Sequence, residues 1–103
     1  MLVVDTSAVV AALLGDCPDL VARLADDGDL HAPHLVDVEF LHVLRWLCGR
    51  GALTDHQAEQ ALRNFARLAI RRYSHVPLTG RIWELRAHLT AYDAAFVALA
   101  EIL

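Results

Sequence analysis

Leu2-Val3-Val4-Asp5-Thr6-Ser7-Ala8-Val9 is the stretch that decides how this chain is read. Three apolar residues, two of them β-branched, predict a short buried strand. An acid follows directly, then two hydroxyl residues, then an apolar run suited to a helix. A carboxylate at the point where a parallel strand gives way to a helix stands where open α/β sheets place their ligand sites. The question for the rest of the chain is which other acids converge on Asp5.

The 103 residues fit one small domain. With 56% hydrophobic residues and a mean hydropathy of +0.37, the chain can bury a core, and disorder is not expected. Its apolar runs fall short of the roughly 20 residues that a membrane helix needs, so no membrane association is expected. The start has no basic segment and Asp5 interrupts its apolar run, which argues against a signal peptide and for a cytoplasmic location. A net charge of −4 argues against nonspecific nucleic-acid binding by the chain as a whole. It leaves nucleic acid open as a substrate, because a bound cation can supply positive charge locally. Cys17 and Cys48 make neither a disulfide framework nor a zinc signature, and read as reduced thiols packed as small hydrophobes.

Outward from the opening stretch, strands and helices alternate. Thr6 or Ser7 can cap a helix running to about Leu14. Gly15-Asp16-Cys17-Pro18 breaks it. Pro18 suits the first turn of a second helix that turns Leu20, Val21 and Leu24 inward and stops at Gly28. Asp29–Ala32 is read as a second strand. A long helical pattern follows from about His34 to Cys48, with Val36, Phe40, Val43, Leu44 and Leu47 on one stripe. Thr54 and Gln57 form a capping box for a helix expected to run to about Ile70. Tyr73–Leu78 is read as a third strand, Thr79 as the cap of a helix through Leu89, and Thr90 as the cap of an apolar helix over 94–103. This order predicts an α/β fold with a parallel sheet in a single domain, 1–103.

Most of the 13 acids have ordinary surface roles. Three do not. Asp5 ends a buried strand. An N-cap would explain it, but Thr6 and Ser7 can do that work, which makes a third capping residue redundant. Glu39 lies between Val38 and Phe40 at the border of the apolar stripe. Ionised there, it loses solvation unless something pairs with it, such as Arg50. Asp93 is the only charge between His88 and Glu101. Taken alone, it reads as the third residue of the Thr90 capping box. Taken together, the three can meet at one end of a parallel sheet. Carboxylates sharing a site repel one another, and a divalent cation relieves that repulsion. Hard oxygen donors without an accompanying Cys/His set favour Mg²⁺ or Mn²⁺. Such an ion can acidify a bound water and stabilise charge on a phosphoryl group.

Val4-Asp5-Thr6-Ser7-Ala8, then Glu39 in a long helix, then Leu89-Thr90-Ala91-Tyr92-Asp93-Ala94-Ala95-Phe96-Val97-Ala98-Leu99-Ala100-Glu101, resemble a PIN-domain protein of the VapC-type toxin ribonucleases. The resemblance spans essentially the whole chain. It implies a three-layer α/β/α fold with a short parallel sheet, with Asp5, Glu39 and Asp93 as metal ligands and Thr6 or Ser7 orienting a ligand or the attacking water. It also implies Mg²⁺- or Mn²⁺-dependent hydrolysis of RNA, a partner antitoxin that blocks the site, and a homodimer. Family members continue past the Ala-Leu-Ala-Glu block into one or two more strands that carry a fourth acid. The sequence stops at Leu103, so a C-terminally short version of the fold is expected, with the first strand at an open edge that a partner chain, a swap or self-association would cover.

Remaining signals have plainer readings. Arg63, Arg67 and Arg71, with Arg72 beside them, read as a solvated helix face before they read as a phosphate stripe. His31 and His34 lack further ligands at zinc spacing. Trp46 and Trp83 read as core or dimer-interface residues rather than base-stacking platforms. Two other functions compete with the metal-dependent nuclease. One is a catalytically weak or inactive module that only binds an antitoxin or itself. The other is a phosphatase that also opens with an Asp after strand one, but it requires a second acid where Ser7 stands.

Overall fold

The structure, a computed structural model, describes residues 1–15 and 18–103. The expected break at Asp16-Cys17, the Cys17 thiol and the inward-turned Val21 side chain lie outside the described residues. The elements are β1 (Leu2–Val3), α1 (Thr6–Leu14), α2 (Pro18–Asp27), β2 (Leu30–Pro33), α3 (Leu35–Gly49), α4 (Asp55–Arg67), β3 (Ile70–Tyr73), a 3₁₀ turn (Val76–Leu78), α5 (Thr79–Glu84) and α6 (Ala91–Ile102).

The three strands are parallel, in the order β1-β2-β3. Leu2 pairs with Leu30, and Leu30 with Ile70, so one register runs across the sheet. Strand alternation sends side chains to opposite faces. Val4, Leu30, Ala32 and Ile70 join one core with Val9, Leu24, Val36, Phe40, Leu44 and Phe65 from α1 to α4. Val3 and Tyr73 pack on the other side with Leu78, Ile82, Ala98 and Leu99 from the 3₁₀ turn, α5 and α6. This is the expected three-layer arrangement. Phe40 anchors the larger core. It is fully buried, and its ring stacks on Phe65 at 4.3 Å.

β1 lies at the edge of the described sheet, as expected, and is held on one side by Leu2 N–H to Asp29 O and Val4 N–H to His31 O. α2 ends where Gly28 takes φ +65°, a backbone state that costs a side chain. Thr54 and Gln57 form the complete capping box, each side chain bonded to the other's backbone N–H.

Four expectations about the second half require correction. α4 stops at Arg67, and Leu68 is already extended, so Ile70 belongs to β3 rather than to the helix. Burial of Ile70 beside Leu30 outweighs its helical spacing. The third strand therefore forms upstream of Tyr73–Leu78. Pro77, which has no N–H for a ladder, sits in the 3₁₀ turn. Thr79 does not cap α5 with its side chain; its hydroxyl donates to Val76 O. The arginine stripe is broken as well. Arg71 and Arg72 lie on β3, and Arg72 makes a bidentate pair with Asp37 at 2.7 and 2.8 Å that ties α3 to the sheet. That bond to Asp37 holds the Arg72 pKa above its ordinary value.

Neither tryptophan is a core residue. Trp46 is 55% exposed and Trp83 is 67% exposed. Each ring instead carries a guanidinium, Arg50 at 4.5 Å and Arg86 at 4.2 Å. His31 is a core histidine. It is buried, with Nε2 2.7 Å from Asp29 Oδ1 and Nδ1 2.6 Å from the Tyr73 hydroxyl. Cys48 is a half-buried free thiol.

Candidate active site

Asp5 leaves β1 in extended conformation and forms the N-cap of α1. Its Oδ1 accepts from the Ala8 N–H at 2.8 Å and from the Ser7 hydroxyl at 2.8 Å. This corrects the expectation that Thr6 or Ser7 caps the helix. Both lie inside its first turn, and their hydroxyls turn to carboxylates instead. Oδ2 of Asp5 receives no hydrogen bond among the described residues.

Glu39 rises from the second turn of α3. The Thr6 hydroxyl donates to its Oε1 at 2.6 Å, across 33 residues of sequence. The loss of solvation that marked Glu39 is thus met by Thr6 and not by Arg50, which stacks on Trp46. Again one carboxylate oxygen is fixed and the other left over.

Asp93 sits in the first turn of α6. Its backbone N–H donates to Thr90 Oγ1 at 3.1 Å. The reciprocal half of a capping box, present at Thr54 and Gln57, is missing here. The Asp93 carboxylate therefore has no capping role among the described residues, and the plainer explanation of this acid falls away.

Asp5, Thr6, Ser7, Glu39 and Asp93 line one cavity of about 840 Å³ at the C-terminal end of β1. The parallel strand delivers Asp5, the start of α6 delivers Asp93, and α3 crosses beside them. The walls are largely apolar: Val10, Leu35, Val38 and Val43, with Phe96 from the second turn of α6. Apolar surroundings strengthen the field of the carboxylates and the cost of leaving them uncompensated. His42 and Tyr92 also line the cavity, and the sequence reading gave neither a role. Their signal was present: His42 follows Glu39 by three residues on one helix face, and Tyr92 immediately precedes Asp93.

The donor set is all oxygen, as a hard divalent cation requires. It is not a closed cage. Among the described residues no three Asp, Glu, His or Cys side chains are grouped tightly enough to hold an ion by themselves. Mg²⁺ does not demand such a cage. It gives up its waters reluctantly and is commonly held through one or two carboxylates together with substrate phosphate. The residues present fit that mode.

A three-layer fold with acids gathered at the end of its first strand defines a class, and comparison with known proteins agrees. The PIN domain family model matches residues 2–103, and the chain belongs to that family. It is similar to ribonuclease VapC9 of Mycobacterium tuberculosis, with 50% identity over 103 residues, covering 100% of this chain and 80% of the relative. The VapC ribonuclease Mb0985 of Mycobacterium bovis matches with the same identity and coverage. Ribonuclease VapC12 of Mycobacterium tuberculosis is 37% identical over 102 residues, 98% of this chain and 79% of the relative. No helix among the described residues is long and apolar enough to cross a membrane.

Proposed function

We propose that the chain is a metal-dependent endoribonuclease, the toxin of a toxin–antitoxin pair. The observation that carries this reading is the convergence of Asp5, Glu39 and Asp93, from three separate elements, on one cavity at a strand end. Relatives named as VapC ribonucleases support RNA as the substrate. Asp5, Glu39 and Asp93 would hold Mg²⁺ or Mn²⁺. When bound, such an ion supplies acidification of a water and stabilisation of charge at phosphorus. Thr6 fixes the Glu39 carboxylate and Ser7 that of Asp5, each through one oxygen, which leaves the other oxygen of each for the metal. The partners proposed are an antitoxin protein covering the cavity and a second copy of the chain, in the cytoplasm.

The experiment is RNA cleavage by the purified chain with Mg²⁺ or Mn²⁺, with EDTA, and with Asp5→Asn, alongside calorimetric titration of Mn²⁺ into wild type and Asp93→Asn. Cleavage that needs the metal and vanishes in Asp5→Asn supports the proposal. The openness of the ligand set favours a second reading, a module that binds an antitoxin or itself without catalysis. Absence of both cleavage and metal binding in wild type would decide for that module.

A further inference from the structure

We infer that Trp46, with Arg50 stacked on it, is a platform for a nucleobase of the RNA strand that enters the cavity. The inference rests on the nuclease reading of that cavity and adds a contact outside the catalytic set.

The cavity wall on α3 is one helical face, lined by Leu35, Val38, Glu39, His42 and Val43 at three- and four-residue spacing. Three residues beyond Val43 on that face comes Trp46, and four beyond Trp46 comes Arg50, where the helix ends. At ~1.5 Å per residue, Trp46 lies about 10 Å along the helix from Glu39. A strand leaving the carboxylates along α3 therefore meets the indole next. Trp46 keeps 55% of its surface open although it sits in the longest helix of the fold. Its ring carries the Arg50 guanidinium at 4.5 Å, while Arg50 has no acidic partner among the described residues. Arg45, beside Trp46, is exposed and likewise unpaired among the described residues.

The electrostatics ask for such a device. The chain carries −4, and its cleft holds three carboxylates that repel a polyanion. Affinity for a strand must come from neighbouring cations and from stacking, which is indifferent to charge. An exposed aromatic ring flanked by arginines is the arrangement by which single strands are held without base-pair readout. A second copy of the chain is the rival occupant of this face. An RNA strand offers Arg45 and Arg50 a phosphate at every nucleotide, which favours it over a second copy as the occupant.

The test uses the full chain with Trp83→Phe, which leaves Trp46 as the sole tryptophan, and a short unpaired oligoribonucleotide. The control is the same strand made abasic. Stacking should quench Trp46 fluorescence with the oligoribonucleotide and not with the abasic strand. Trp46→Ala should weaken binding about tenfold or more, Trp46→Phe should restore most of it, and neither should change affinity for the abasic strand. Circular dichroism reports folding of each variant. Unquenched fluorescence with unchanged affinity in Trp46→Ala overturns the inference. So does a Trp46→Ala variant that loses self-association while keeping its RNA affinity. The nuclease reading is judged separately, by metal-dependent cleavage in wild type. Cleavage without quenching rejects the platform alone, and quenching without cleavage rejects the nuclease alone.

Discussion

Replacing Thr6 by Val removes one hydroxyl and keeps the shape of the side chain. The Thr6 hydroxyl donates to Glu39 Oε1 at 2.6 Å, a short bond to an acid that borders an apolar cavity. Hydrogen bonds to charged groups contribute ~1.5 to 3 kcal/mol. Glu39 is half-buried and faces a cavity that water can enter, so the lower end applies, about 1.5 kcal/mol. Unfolding entropy of ~2.1 cal/mol/K per residue converts that to a fall of about 7 °C in Tm for a chain of this length. Urea denaturation of Thr6→Val, Glu39→Ala and the double variant closes a cycle whose coupling should be ~1 to 1.5 kcal/mol. Thr6→Ser should recover most of the loss. If Glu39 holds the metal as proposed, losing the hydroxyl that orients it should cost ~10- to 100-fold in metal affinity. Calorimetry with Mn²⁺ reads that second effect. A coupling energy indistinguishable from zero would show that the Thr6–Glu39 bond does not hold the site together, and the argument built on it would fail.

Other perturbations test the frame around the site. Phe40→Ala removes a fully buried ring stacked on Phe65 and should cost ~3 to 5 kcal/mol in urea denaturation; a loss under 1 kcal/mol would mean the core is not centred there. The Asp37–Arg72 pair is bidentate but leaves 38% of Asp37 and 28% of Arg72 side-chain surface exposed, so a double-mutant cycle should give only ~1 kcal/mol. Asp29 has its pKa held below the ordinary carboxylate value, first by the hydrogen bond to His31 and then by the N-terminal ammonium. A depressed folded-state pKa contributes stability that is complete above the ordinary Asp range and is lost as pH falls through the lowered value. The acid limb of the stability curve should therefore be shallower in Asp29→Asn than in wild type. Superimposable acid limbs would refute that contribution.

The residues of the candidate site stood out in the sequence because they broke local rules. Asp5, Glu39 and Asp93 each stood where a simple surface acid would not, and each lines the cavity. The parallel sheet followed from the alternation of strands and helices, and the edge position of β1 from the family resemblance. What stayed hidden depended on contacts between distant segments. Ile70 satisfies both a helical stripe and a strand, and only pairing with Leu30 decides. Arg72 looked like one more member of a solvated row until Asp37, 35 residues earlier, faced it. Trp46 read as a core or dimer-interface residue. Its place on the outer row of α3 is fixed by where the rest of that helix packs, with Val36, Phe40 and Leu44 turned inward.

The structural role of Asp5 and the chemical role proposed for it can occupy one side chain. The sequence set capping against ligation, as if one explanation displaced the other. In the structure the cap uses Oδ1 and Oδ2 is left over, so capping is compatible with the metal-holding role proposed for the carboxylate. That matters because β1 is two residues long and paired on one side, which alone gives Asp5 little restraint. The helix supplies it, through the Ala8 N–H to the side chain and the Val9 N–H to Asp5 O at 3.2 Å. Asn caps helices about as well as Asp, whereas Ala costs ~1 kcal/mol. Asp5→Asn should therefore melt within a degree or two of wild type while losing Mn²⁺ binding, and Asp5→Ala should lose both. If Asp5→Asn kept its affinity for Mn²⁺, Asp5 would be a cap and nothing more.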